Sequence, residues 1–219
     1  MNLRLLQLAS PALPVGAYSY SQGLEAAVEA GIVTDAASAE RWIGDVLELA
    51  LASMEAPVFL RLASAWTASD AQAVARWNAE FVASRETAEL RAETLQMGYS
   101  LRSLLRGLEV DEVERLDAID APAFPTAFTF AVAAWSIDVR EALSAYLFAW
   151  IENQVMASIK VVPLGQTPGQ RILGSLAQRI GAIVERAAAA RDEDLCNLAP
   201  GLVLASTRHE TQYSRIFRS

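Results

Sequence analysis

Side chains able to do chemistry are few in this chain and unevenly placed. One histidine, His209, and one cysteine, Cys196, stand against 26 aspartates and glutamates. A zinc-type centre using those two would need carboxylates for most of its coordination sphere. A Ser-His-Asp or Cys-His nucleophile would have to take its base from His209, in a terminal stretch where order is least assured. Neither GxxxxGK[ST] nor GxGxxG occurs, so a standard phosphate loop is absent. Two carboxylate groupings are left. Glu86, Glu89 and Glu93 fall at i, i+3 and i+7 on one helix face, and Glu25 and Glu29 are four apart. Either could bind a divalent ion, and a carboxylate-metal hydrolase is the enzyme alternative. Di-metal carboxylate bundles, however, use Glu-x-x-His pairs, and none is present. Both groupings read better as solvated helix faces, with Arg85 compensating Glu89 and Arg91 nearby. Cys196, between Leu195 and Leu198, reads as buried apolar filler. The residues thus speak against catalysis, and they call for no cofactor.

Two other stretches read as docking features. The first is Pro163-Leu164-Gly165-Gln166-Thr167-Pro168-Gly169-Gln170-Arg171, whose two prolines and two glycines forbid one continuous helix. Thr167 as N-cap, Pro168 at the first helical position and Gln170 three past the cap form a capping box. The plain reading is a well-capped corner between helices. The sharper one is a docking surface, since Gln166 is not needed for capping and glycines admit a close backbone. The second stretch is the tail from about residue 207 to 219, where Tyr213, Arg215, Ile216, Phe217 and Arg218 cluster. Tyr, Phe and Arg are enriched at interfaces. The tail either folds back on its own domain or orders on a partner, and its composition favours the partner.

The elements that must carry these stretches are helices. Helical period and caps recur along nearly the whole chain, and alternating strands are scarce, so the expected fold is a single all-α bundle of roughly eight to ten helices. A capping box at Ser19–Gln22 predicts a helix over Tyr20–Ala30, closed by Gly31 at C′. An amphipathic helix is expected over Asp35–Ser53, and another over Ala56–Ala68 with Pro57 in its first turn. Residues 70–97, free of Gly and Pro, form one very long helix or two joined near Ser84, and a further helix carries Leu101, Leu104, Leu105 and Leu108. A short acidic helix over Asp111–Ala118 precedes a central core helix with Phe124, Phe128, Phe130 and Trp135. A long helix fills Asp138–Val162, with Lys160 suited to its C-terminus. The helix after the corner continues to about Ala190, and Leu202–Ser206 is a short apolar piece.

Bulk properties narrow the function classes. The chain has 219 residues, 53% hydrophobic and 20% charged, enough for one sizeable core. A net charge of −8 and a pI near 4.8 repel phosphate backbones and anionic lipid. A lone cysteine allows no intrachain disulfide, which fits a reducing, cytoplasmic setting. Ala127–Ile151 is broken by Asp138, Arg140 and Glu141 and does not read as a membrane span.

Four motifs, in order from near the first residue to the last, carry a resemblance. They are Leu8-Ala9-Ser10-Pro11-Ala12-Leu13-Pro14-Val15-Gly16 with Tyr20-Ser21-Gln22-Gly23-Leu24-Glu25; Arg85-Glu86-Thr87 with Glu89-Leu90-Arg91; Lys160-Val161-Val162-Pro163-Leu164-Gly165-Gln166-Thr167 with Gly169-Gln170-Arg171; and His209-Glu210-Thr211-Gln212-Tyr213-Ser214-Arg215-Ile216-Phe217-Arg218-Ser219. Together the chain resembles the urease accessory protein UreF family, with Ile216 where leucine is usual. The resemblance implies an all-α, usually dimeric, non-catalytic protein that works with UreD (also called UreH) and the GTPase UreG to deliver nickel to apo-urease. It implies that the tail orders against UreD, and that GTPase chemistry and the main nickel ligands belong to UreG. The expected partner-binding residues are therefore Gly165, Gln166, Gln170 and Arg171 at the corner, and His209, Glu210, Tyr213, Arg215, Phe217 and Arg218 in the tail. Gln166, Gln170 and Arg171 are also candidates for regulating the GTPase cycle by insertion.

Overall fold

Where the chain needs a helix start, a short polar side chain usually supplies it. In the computed structural model, which describes residues 2–219, Asp35, Asp70, Thr87 and Asp138 each accept a backbone N–H from the first turn they precede. The helices are α1 (Leu3–Leu8), α2 (Leu24–Glu29), α3 (Ala36–Val46), α4 (Ala56–Thr67), α5 (Ala71–Ala83) and α6 (Ala88–Gly107). They continue with α7 (Val113–Asp117), α8 (Phe124–Ala134), α9 (Val139–Val161), α10 (Gln166–Ala177), α11 (Ile180–Ala189) and α12 (Pro200–His209). No strand occurs among the described residues, and no helix among them is long and apolar enough to cross a membrane. The expected all-α bundle is what the chain forms.

At the centre lies α8, buried without a break from Pro125 to Val132 and packed against α4 and α6. Its start is fixed by Asn78 of α5, whose Oδ1 accepts the Ala123 N–H (2.8 Å) and the Thr126 hydroxyl (2.7 Å). Phe59, Phe128 and Tyr146 form an aromatic cluster with centroids 5.1–5.7 Å apart. Gly98 lets the layers close. A Cβ there would lie 1.9 Å from the Pro122 carbonyl oxygen, so the backbone leading into α8 rests directly on α6. The predicted break before Leu101 is therefore absent, and one helix runs through Gly98. The other break, near Ser84, is real and separates α5 from α6.

Between α3 and α4 the chain does not stop at Ser53. Leu47–Glu55 widens to a π-helix, with the Ala56 N–H reaching back five residues to Leu51 O, and helical geometry continues into α4. A proline at 57 crowds the carbonyl four residues earlier in a regular helix. That carbonyl, on Ser53, instead accepts the Cys196 N–H at 3.3 Å, and Leu49 O accepts the Leu198 N–H at 2.9 Å. The strap after α11 is thereby fastened to the widened turns. Cys196 is exposed there, contrary to the buried position its neighbours suggested. Its backbone makes the contact while its side chain faces out.

Two helix starts differ from the sequence reading. Ala17–Ser19 is a 3₁₀ turn, Gln22 and Gly23 follow with φ of 52° and 76°, and α2 begins only at Leu24. Gly23 is needed twice over, since a Cβ there would sit 3.1 Å from Ala205 Cβ and from Ser206 N of α12. Gly31, at φ 71°, closes α2 as expected. At the corner, α10 is capped by Gly165 without a side-chain bond, so Thr167 is inside the first turn and no capping box forms. Gly169 is buried against Ile159, which sets α10 onto α9. The helix then breaks at Gln178–Arg179 and resumes as α11, where a single helix to Ala190 was expected.

Candidate partner-binding site

The tail folds back onto its own domain, held by carboxylates from α2 and α6. Glu25 is buried, with its two oxygens accepting the N–H groups of Ile216 (2.7 Å) and Phe217 (2.9 Å). One carboxylate thus satisfies two successive backbone donors that would otherwise be buried unpaired. The pair Glu25 and Glu29 is no shared solvated face, because only Glu29 is exposed. His209 is fully buried between Glu89 (Nδ1, 2.7 Å) and Glu25 (Nε2, 3.3 Å). Glu89 also receives Arg215 at 2.8 Å, and Glu210 accepts the Ala88 N–H at the start of α6 (3.0 Å). Farther along, the Arg218 N–H donates to Ser19 O (2.8 Å), and Ser219 O accepts the Ser21 N–H (2.7 Å) and hydroxyl (2.6 Å).

From Ile216 onward the tail alternates. Phe217 and Ser219 point into the domain, whereas Ile216 and Arg218 point out, as does Tyr213. Ile216 is 67% exposed and Tyr213 fully so. Of the two courses the sequence left open, the tail takes the fold back onto its own domain. His209 and Phe217 serve the chain's own packing; Glu210, Tyr213, Arg215 and Arg218 are exposed, although Glu210 bonds the Ala88 N–H, Arg215 pairs with Glu89 and Arg218 reaches the Tyr20 hydroxyl. A cation–π contact joins tail to corner, with Lys160 Nζ 5.3 Å from the Phe217 ring centroid. Lys160 lies in the last turn of α9, immediately ahead of the corner. There Gly165, Gln166, Gln170 and Arg171 are all exposed, and their side chains make no hydrogen bond among the described residues.

The carboxylates expected on one face do different work. Glu86 precedes α6 and is exposed, Glu89 holds His209 and Arg215, and Glu93 is buried. Glu93 accepts from Gln22 Nε2 (2.7 Å) and from the Ser219 hydroxyl (2.9 Å), and Gln22 accepts the Trp150 indole N–H (2.8 Å). Burial pushes its carboxyl up to about 7, helped by the charge of Glu55. The bonds from Gln22 and Ser219, and the Arg85 guanidinium, pull the other way. Arg85 does not pair with Glu89 as expected; it bonds Glu55 at 3.2 Å, and the Tyr146 hydroxyl donates to the other Glu55 oxygen. Burial, with the Glu55 charge, holds Tyr146 well above the usual phenol range. Glu55 carried no role in the sequence reading, Gln22 was read as a capping residue and Glu25 as part of a solvated face; the one signal for their present roles is that Gln22 and Glu25 fall within one of the shared motifs. Among the described residues no three His, Cys, Asp or Glu side chains are grouped to hold a metal ion.

Comparison with known proteins bears on the whole of this arrangement. The family model described as UreF matches residues 33–177. Proteins named urease accessory protein UreF are similar over nearly the full chain. That of Azoarcus sp. (strain BH72) is 59% identical over 99% of this chain and 95% of its own. Those of Dechloromonas aromatica (strain RCB) and Methylobacillus flagellatus are 51% and 49% identical, covering 99% of this chain and 96% and 97% of theirs. With α3 through α10 matched by the family model, and these relatives similar over 99% of the chain, the chain belongs to the UreF family of urease accessory proteins.

Proposed function

We propose that this urease maturation factor is a non-catalytic adaptor, seating UreD/UreH and the GTPase UreG in the relation needed for nickel insertion into apo-urease. The observation that carries the reading is the two-sided tail. Glu25, Glu89 and Ser21 hold its inner side, and Tyr213, Ile216 and Arg218 are left facing solvent. An exposed Tyr and Ile flanked by arginines has the composition of an interface centre. UreD engages this outward side, with Tyr213 and Ile216 as its anchors and the exposed Arg218 beside them adding polar contacts. UreG takes the exposed corner at Gly165, Gln166, Gln170 and Arg171. A homodimer and a cytoplasmic setting belong to the same proposal, the latter supported by the single, unpaired Cys196.

Replacing Tyr213 and Ile216 together by Ala tests this. Both tail N–H bonds to Glu25 are backbone bonds and survive, so helical content and tail order are retained while co-purification with UreD is lost. Undiminished binding would remove the tail from the account. A second reading is favoured by the unpartnered side chains of Gln166, Gln170 and Arg171: they enter the GTPase site and regulate turnover. Stimulated GTP hydrolysis that disappears in Gln166→Ala decides for regulation, whereas unaltered turnover leaves plain seating.

A further inference from the structure

The N-terminal segment, α6, α8 and α9 enclose a cavity of about 90 Å³. Its floor is buried, at Glu55, Glu93 and Phe128, and its mouth lies among the half-buried Ser10, Tyr18 and Glu152. Ser10 and Glu152 also border the open groove among α1, α9 and α11, so the mouth leads to the surface. Most polar groups on the wall are satisfied within the chain. Glu55 is held between Arg85 and Tyr146, Gln22 between Glu93 and Trp150, and Glu93 between Gln22 and Ser219. Three groups are not. Glu152 makes no hydrogen bond or ion pair among the described residues, and burial alone raises its carboxyl above the usual range. Asn153 is nine-tenths buried and its amide donates to Tyr20 O at 3.3 Å, while its Oδ1 stays accessible and accepts no bond among the described residues. The Tyr18 hydroxyl is unpaired among them too, and its phenol is raised by burial and then by the nearby charge of Glu152.

These unpaired groups select the ligand. Among the described residues Arg85 is the only cation on the wall, and Glu55 neutralises it at 3.2 Å. Glu152 is left without a counter-charge, and Glu93, when ionised, adds the same sign, so an anion is repelled. A divalent metal ion asks for about six oxygens, and no three His, Cys, Asp or Glu side chains among the described residues are grouped to hold one. A primary ammonium brings three donors, and Glu152, Asn153 and Tyr18 are the oxygens without one. The remaining wall is largely apolar, from residues such as Leu13, Met97 and Phe124, and suits a carbon chain. A dry cavity of about 150 Å³ takes benzene, so one of about 90 Å³ takes roughly three or four carbon atoms.

We propose that this cavity binds a primary alkylammonium group, its donors on Glu152, Asn153 Oδ1 and the Tyr18 hydroxyl and its short carbon chain against Leu13, Met97 and Phe124. The probes are propylammonium and propanol, equal in heavy atoms and differing in charge. Each is titrated at fixed ionic strength into the whole chain labelled with ¹³C at its methionine methyls. Met97 lines the cavity and Met156 does not, so the Met97 signal is expected to move saturably with propylammonium while Met156 stays still. Propanol is expected to bind at least about tenfold more weakly, since charge-assisted bonds to a carboxylate are lost. In Glu152→Gln, which keeps the size and an acceptor oxygen, that preference should fall below about threefold. A capped lysine, Nα-acetyl-lysine methylamide, separates the two sources of such a group. Binding as tight as that of propylammonium identifies the lysine side chain of another protein, and weaker binding identifies a free amine. No saturable Met97 shift with either ammonium, as when the cavity holds only ordered water, overturns the proposal. Equal affinity of the unmodified chain for propylammonium and propanol overturns it as well, and that comparison needs no variant to fold.

Discussion

Glu93→Gln makes the buried carboxyl at the root of the tail measurable. Glu93 is 6% exposed, and burial raises its folded value from 4.5 to about 7. Between those two values the folded chain holds a proton that the unfolded chain has released. Stability therefore falls as pH rises through the window: the contribution is whole below about 4.5 and gone above about 7. Each unit of displacement is worth about 1.4 kcal/mol, so the full span is about 3 kcal/mol, of which about 2–3 kcal/mol falls between pH 5 and 8. Glutamine cannot ionise, and its amide can still meet Gln22 and the Ser219 hydroxyl. Urea unfolding of both chains at pH 5, 6, 7 and 8 should show the variant gaining on its parent steadily, by about 2–3 kcal/mol in all. For a chain of this size that corresponds to roughly 5–10 °C in melting temperature. Every other titrating group is common to both chains and drops out of the difference. A difference that stays flat with pH would refute the assignment of Glu93 as a carboxyl kept neutral by burial.

Two further outcomes follow from the same geometry. Glu25→Gln leaves one acceptor oxygen for the two N–H groups of Ile216 and Phe217. Amide hydrogen exchange there should accelerate about 10–100-fold, the equivalent of about 1–3 kcal/mol, while the α8 amides keep their protection; unchanged exchange at 216 and 217 would show that Glu25 does not hold the tail. Gly98→Ala places a methyl against the Pro122 carbonyl, and since the clash is with backbone it should cost about 3 kcal/mol or more in calorimetry. A near-neutral Gly98→Ala would mean that α6 and the approach to α8 are not in direct contact.

What could be read from the sequence was what neighbouring residues decide. Asp138 and the uninterrupted run after it announced α9, Asp70 announced α5, and Gly31 closed α2, because each signal acts within one turn. The misreadings share a different cause. Glu25 looked solvated because Glu29 is four residues on, yet its donors come from 191 and 192 positions away. Gly98 resembled a helix end and is a notch for backbone from another layer. Pro57 did mark the first turn of α4, but nothing local showed that the helix before it widens and runs on into α4, fastened by the Cys196 strap. Thr167 had the spacing of a cap, but α10 starts at Gln166 and leaves it inside. For the tail, composition gave the outward residues, whereas Phe217 and His209 turn inward onto groups no local pattern reveals. The corner ends at Arg171 and the tail begins near residue 207, so only the fold sets Lys160 on Phe217.

The central claim, that this chain holds two other subunits in register, is tested most directly by size-exclusion chromatography with light scattering. The purified chain is mixed first with UreD and then with UreG. The adaptor reading predicts a mass step at each addition, with the second step present only when this chain joins the first two proteins. A UreD–UreG complex that forms equally well without this chain, or a chain that elutes alone from both mixtures, would contradict it.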